Sequence, residues 1–254
     1  MAELRGRVVA TEKISAAMRR EMFALFQRYY EQVDFERFEA DLRPKQFVIL
    51  LFDSENRVQG FSTLQHLLVY RNGRPIRGIF SGDTVIDERY WGQRTLGRVF
   101  LRHLWMEKCR RPFAPLWWFL ISKGYKTYLL MANSFPEHYP RFEEPTPNEA
   151  QDVMDAFAGQ MFPDAYQKES GTIEFAVPHG QLKNRVAPIT PDLLENPRIA
   201  FYQERNPGWR LGTELACVAK MTWSLPLYYT AKAMLKRRVR TWSGNTVMPT
   251  EVQD

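Results

Sequence analysis

Residues 87–104 read DERYWGQRTLGRVFLRHL, and their order suits one kind of chemistry. Gly92 and Gly97 stand five residues apart, with Arg94 between them and Arg98 next, directly before an amphipathic helical pattern. Upstream, IRGIFSGDTVI has the composition of a strand. A turn from strand to helix leaves the first N–H groups of the helix without intrahelical acceptors. With the helix dipole behind them, those groups suit a diphosphate. The glycines permit close backbone approach, and the arginines add charge. A surface turn with solvated arginines is the competing reading of the same residues.

The elements that must position this turn are readable on either side. Val8 and Val9 begin a first strand, and Ile14, Met18, Met22, Leu25, Phe26 and Tyr29 follow helical spacing. That helix is expected to fray in EQVDFERFEADLRPK, where Pro44 favours extended backbone at Arg43. QFVILLFD, VQGFSTLQHLLVY and PIRGIFSGDTVI then read as three strands. Asn72-Gly73 joins the last two as a hairpin, giving an antiparallel meander. After the glycine turn comes a helix stopped by Pro112 and Pro115, and LWWFLIS reads as a strand buried on both faces. KGYKTYLLMANSF is a further helix, ended by Pro136.

Residues 136–171 form an inserted connection rich in proline and charge, with a helix near residues 150–161. GTIEFAVP and TELACVAKM are later strands. The expected fold class is α/β (α+β): a central mixed, mostly antiparallel sheet flanked by helices. Residues 1–222 make one domain, and residues 223–254 a basic amphipathic helix and tail.

This order of elements resembles the GNAT superfamily, the Gcn5-related N-acetyltransferases. The signature Arg/Gln-x-x-Gly-x-Gly/Ala is similar to RTLGRV, which supplies Arg94, Gly97 and Val99. YWGQRTLGR resembles a looser form with Gly92 and Gly97 at its glycine positions. The likeness covers residues 8–135. It implies acetyl-CoA or a longer acyl-CoA as co-substrate, and no metal. The diphosphate would lie on the turn formed by Gly92, Gln93, Arg94, Thr95, Leu96, Gly97 and Arg98. The pantetheine arm would pair with Thr84, Val85 and Ile86, in a splay beside LWWFLIS, whose Ser122 joins the cofactor set. Tyr128 would protonate the leaving thiolate, with Tyr125 in reserve.

Transfer to an amine requires a neutral nucleophile and so a base. Asp83, His66 and Glu88 are the candidates; a hydrogen-bonded sheet histidine is the plainer reading of His66, and a bulge at Gly82 that of Asp83. Cys109 beside Arg110 and Arg111 has the surroundings of an activated thiol, but an idle cysteine fits better without a nearby histidine.

The net charge of +6 over 254 residues favours an anionic partner. Cys109 and Cys217 show neither zinc spacing nor a disulfide framework, and no run is apolar and long enough for a signal peptide or membrane span. A cytoplasmic setting is expected. In SLPLYYTAKAMLKRRVRTW, Lys232, Lys236, Arg237, Arg238 and Arg240 accompany a helical apolar stripe. Residues 226–242 therefore suit an anionic membrane surface or an acidic acyl carrier protein. With Trp91, Trp105, Trp117 and Trp118 this suggests a long acyl chain, resembling the long-chain N-acyl amino acid synthase branch. The leading reading is acyl transfer from a CoA or carrier-protein thioester to a small-molecule amine. The alternative is a non-enzymatic basic module for nucleic acid or an anionic membrane. Nucleic acid is the weaker of these, because the basic residues are scattered before residue 232 and no recognition signature appears.

Overall fold

The first apolar run, β1 (Arg5–Ala10), leads through a 3₁₀ turn into α1 (Ala16–Tyr29), whose start is capped by the Ser15 hydroxyl accepting the Met18 amide. The computed structural model describes residues 3–71, 73–176, 181–182 and 188–229. β2 (Tyr30–Glu31) and α2 (Phe35–Leu42) precede the meander of β3 (Phe47–Phe52), β4 (Val58–Arg71) and β5 (Arg74–Ile86). α3 (Thr95–Arg110), β6 (Leu116–Ser122), α4 (Tyr125–Ser134) and β7 (His138–Tyr139) follow. The chain continues through α5 (Asn148–Met161), β8 (Tyr166–Gln167), β9 (Thr172–Ile173) and β10 (Gln181–Leu182). α6 (Pro197–Arg205) and β11 (Glu214–Lys220) complete this unit, which runs to Met221. The second unit begins at Thr222, and its described residues include a helical segment at 225–229.

The sheet order is β1-β3-β4-β5-β6-β11-β9-β8, with β7 also on β11, while β10 pairs with β2 separately. β5 and β6 run parallel because α3 carries the chain back across the sheet; the other pairs are antiparallel. The fold is thus a mixed, mostly antiparallel sheet flanked by helices. On one face α1 and α2 bury Met22, Phe26 and Phe38 against Val48, Leu50 and Phe61. Farther along the same face, Val153 and Phe157 of α5 cover Phe80, Trp117 and Val218. Gly78 makes that contact close: a Cβ there would stand 2.5 Å from the Phe157 ring. On the opposite face Phe100 of α3 packs on Trp118, ring centroids 4.8 Å apart.

Four local expectations change. The stretch expected to fray is α2, capped by Asp34, whose carboxylate accepts the Arg37 amide at 2.8 Å, and anchored by Phe38 and Leu42. Arg43 stays helical at φ −55° and ψ −44° despite Pro44, closing that helix. The connection at 136–171 is not merely a link, since α5 and Tyr139 belong to the core. Within GTIEFAVP only Thr172–Ile173 is strand among the described residues. The meander's hairpin forms with Arg71 opposite Arg74 and Gly73 at φ +74°; Asn72 lies outside the described residues. So do residues 230–254, which carry most of the basic segment at 226–242. Among the described residues no helix is long and apolar enough to cross a membrane.

Candidate active site

β5 keeps neighbours on both sides only as far as Ser81. Its pairing with β6 ends at Ser81 opposite Leu120. On the other side, Leu64 faces Ser81 and Ser62 faces Thr84, so Thr63 alone opposes Gly82 and Asp83. This is a β-bulge, and it bends the strand. Gly82 is required by the crowding: a Cβ would come within 2.6 Å of the Thr63 hydroxyl. Beyond the bulge, residues 82–86 follow β4 and leave β6, and a splay opens between the two parallel strands.

Two hollows meet at that splay. On the face of α3 and α4 a narrow cleft of about 40 Å³ is lined by Ser62, Thr84, Gly97, Phe100, Trp118 and Leu130. On the opposite face a cavity of about 760 Å³ is lined by residues that include Lys45, Asp83, Thr84, Lys123 and Glu214. Thr84 belongs to both. Its hydroxyl donates to the Gly82 carbonyl at 3.1 Å and lies 2.7 Å from the Ser62 hydroxyl.

Asp83 is the ionisable group at the junction. Burial raises its pKa to about 6, with Asp41 and Glu214 adding to the rise and Lys123 and Lys45 opposing it. Lys45 is pushed the other way, its pKa lowered by burial; its Nζ donates to Gln65 at 3.2 Å. Lys123 pairs with Glu214 at 3.2 Å. Burial also raises the pKa of Tyr30 on the cavity wall. A carboxyl poised near neutrality between two lysines can take a proton from an ammonium group entering this cavity.

In the glycine turn the amides divide. Those of Trp91 and Gln93 close the turn itself, on the Glu88 and Tyr90 carbonyls at 3.1 and 3.2 Å. The amides of Arg94, Thr95, Leu96 and Gly97 meet no acceptor among the described residues, and no side chain caps α3. Gly92 has φ +87°, which favours glycine. Gln93 holds the Leu4 amide at 3.0 Å, Arg98 pairs with Glu3, and Arg94 is exposed. Val85 faces the α1 core, and the Ile86 carbonyl accepts the Trp91 indole at 2.8 Å.

Other sequence candidates lie elsewhere. His66 is one residue along from Gln65, which lines the cavity, so strand alternation turns it to the other face, against Phe47 and His103. Glu88 is exposed and borders a separate hollow with Arg28 and Tyr29. Ser122 is buried, its hydroxyl donating to the Gly124 carbonyl at 2.9 Å. Trp117 and Trp118 are core residues, while Trp91 is exposed, with the Lys126 ammonium 4.3 Å from its ring centre. Cys217 is buried, which pushes its thiol pKa up, and Cys109 is exposed.

Tyr128 does not reach the cleft. Leu130 does, and two residues are about 200° of helix rotation. Its hydroxyl instead donates to the Pro140 carbonyl at 3.1 Å, buried beside Tyr202 and His138. Tyr125 lies buried at the start of α4 and borders neither hollow. Tyr128→Phe should therefore cost about 1–3 kcal/mol of stability by stranding that carbonyl, with turnover unchanged. Urea denaturation and a steady-state assay on the same sample check both.

Lys45, Lys123 and Glu214 were missed in the sequence. Lys123 carried a signal, since it directly follows the parallel strand β6 at its carboxyl end, where α/β sheets collect ligand groups.

No family model and no curated protein matches the chain. Among solved structures 202 chains match. One is a probable N-acyltransferase from Enterococcus faecalis, at TM-score 0.40 and 16% identity, covering 51% of this chain and 31% of that one. Another is a GNAT family N-acetyltransferase from Escherichia coli in complex with CoA, at 0.39 and 16%, covering 53% and 69%. A third is an aminoglycoside acetyltransferase from an uncultured soil metagenomic sample, in complex with sisomicin, at 0.37 and 17%, covering 57% and 93%.

Proposed function

We propose that the chain is an acyltransferase of the GNAT type, moving a short acyl group from acyl-CoA to a small-molecule amine. The observation that carries this reading is Thr84, which lines both the cleft beside the glycine turn and the cavity holding Asp83. A donor entering along one face and an acceptor entering along the other can meet only there.

The diphosphate lies against the open amides of residues 94–97, where unsatisfied donors and the helix dipole favour an anion. The pantetheine arm follows Thr84, Val85 and Ile86 on the edge that β6 has left. The acceptor enters the cavity as an ammonium ion and yields a proton to Asp83. Its lone pair attacks the thioester carbonyl, the C–N bond forms, and the tetrahedral intermediate expels the CoA thiolate as the C–S bond breaks. The acylated nitrogen sheds its remaining extra proton, which passes through water to the thiolate and completes the thiol, and Asp83 returns its own proton to solvent. Holding donor and acceptor at one opening supplies the largest share of the acceleration, since oriented reactants escape most of the cost of encounter.

The cleft of about 40 Å³ favours acetyl and other short acyl groups. The long-chain branch has less support, because Trp117 is spent on the core and Trp118, although it borders the cleft, is almost fully buried. Calorimetry with acetyl-CoA and a series of longer acyl-CoAs tests the reading. Saturable binding is expected, tightest for the short chains, and amine-dependent release of free CoA thiol should follow. Failure of every acyl-CoA to bind removes the proposal.

A further inference from the structure

A second constellation lies beneath α3, on the sheet face away from Asp83. His103 and Glu107 stand one helical turn apart, so both project from the same side of α3. His66 on β4 meets them, its ring centre 5.8 Å from that of His103, with Phe47 packed against both imidazoles. One ligand atom from each of the three residues lies within 4.8 Å of the others. His103 and Glu107 are each only 5% exposed.

The polar accounting here is incomplete. Nε2 of His66 and Nε2 of His103 are buried and have no hydrogen-bond partner among the described residues. Buried polar atoms are normally satisfied, so two orphaned imidazole nitrogens on rings 5.8 Å apart call for a ligand.

We propose that His66, His103 and Glu107 form a binding site for one zinc-class transition-metal ion. Two imidazoles and a carboxylate are a donor set that zinc accepts readily. Ligand atoms within 4.8 Å of one another need only small side-chain rotations to converge on a tetrahedral ion. A water molecule fills the fourth position. The charge around the site limits its affinity: Glu107 already pairs with Arg110 and, at 3.6 Å, with Arg77. Arg110 has a side chain 64% exposed and can turn to solvent when a cation enters, whereas the longer contact to Arg77 leaves that oxygen the less committed of the two. The ion joins β4 to α3, the helix whose first turn carries the open amides. It is therefore a structural clamp, and the acyl-transfer scheme does not depend on it.

The test uses the full chain stripped with a chelator, then titrated with Co²⁺ alone by visible absorption and with Zn²⁺ alone by calorimetry. One equivalent per chain is expected, with the ligand-field bands of a low-coordinate Co²⁺ ion. His103→Gln and His66→Gln should each weaken binding by at least about 10- to 100-fold, the loss typical even for second-shell changes. Zn²⁺ should raise the melting temperature of the wild type and not of the variants. Absence of saturable binding overturns the site. So does binding retained in both variants, which would place the ion elsewhere on the chain. Either result leaves the acyl-CoA titration unaffected, so the two proposals fail separately.

Discussion

Asp83→Asn should lower kcat by about 10²–10⁴, the range for loss of a positioned base, with acyl-CoA affinity unchanged. Asp83 works only when ionised. With its pKa near 6, the wild-type rate should climb as pH rises through 6 and level off above 7. The asparagine variant should lose that rising limb, and a profile of kcat/KM from pH 5 to 8.5 reads it directly. The same substitution should stabilise the protein. In the folded chain Asp83 holds its proton up to about pH 6, whereas its ordinary value is 3.8. Between these values the folded state binds more protons than the unfolded state, so stability falls as pH rises through that window. The full penalty applies above it. A rise from 3.8 to about 6 corresponds to roughly 3 kcal/mol; screening by solvent at this partly exposed position reduces it to about 1–3 kcal/mol. The variant should exceed the wild type by that margin at pH 8 and match it below pH 4, as measured by denaturant unfolding. Equal turnover in both proteins would move the base elsewhere.

Gly97→Trp should abolish measurable acyl-CoA binding, a loss of at least about 100-fold or 2.7 kcal/mol. Gly97 lines the cleft, and a Cβ built there meets nothing within 4 Å. An indole at this position fills the approach to the open amides without disturbing the core. Gly97→Ala is the matched control. It should retain binding and gain up to about 1 kcal/mol from better helix propensity. Titration calorimetry with acetyl-CoA, alongside melting curves, separates steric blockage from misfolding. Tight binding by the tryptophan variant would mean that the diphosphate does not lie on this turn.

The meander and the turn were legible because they are local. β4 and β5 are adjacent in sequence and Asn72-Gly73 specifies their return, while the strand–glycine–helix passage declares α3. Asp83 is legible as a candidate for the same reason, as a carboxylate beside a glycine inside an apolar strand. Its neighbours are not: Lys45 precedes β3, Lys123 follows β6 and Glu214 opens β11, and only the sheet order β5-β6-β11 brings the last two together. His66 misled for a geometrical reason. A strand residue can face either side, and the bulge at Gly82 changes the alternation of β5 without altering that of β4. Tyr128 meets the same ambiguity on a helix, where Leu130 occupies the side turned to the cleft. In α2 the helical spacing of Phe35, Phe38 and Leu42 outweighs the extended backbone that Pro44 favours at Arg43.

The last rung joining β5 to β6 is reinforced by the Trp118 indole N–H, which donates to the Ser81 hydroxyl at 2.8 Å. Three residues back, the Phe157 ring fills the space over Gly78 and leaves that end of the strand pair no slack. The two strands therefore behave as scissor blades riveted at Ser81. A bulkier guest is admitted by widening the angle above the rivet, not by deepening the floor. Selection for new acceptors should accordingly gather its changes around residues 82–86 and 121–127 and spare the rivet itself.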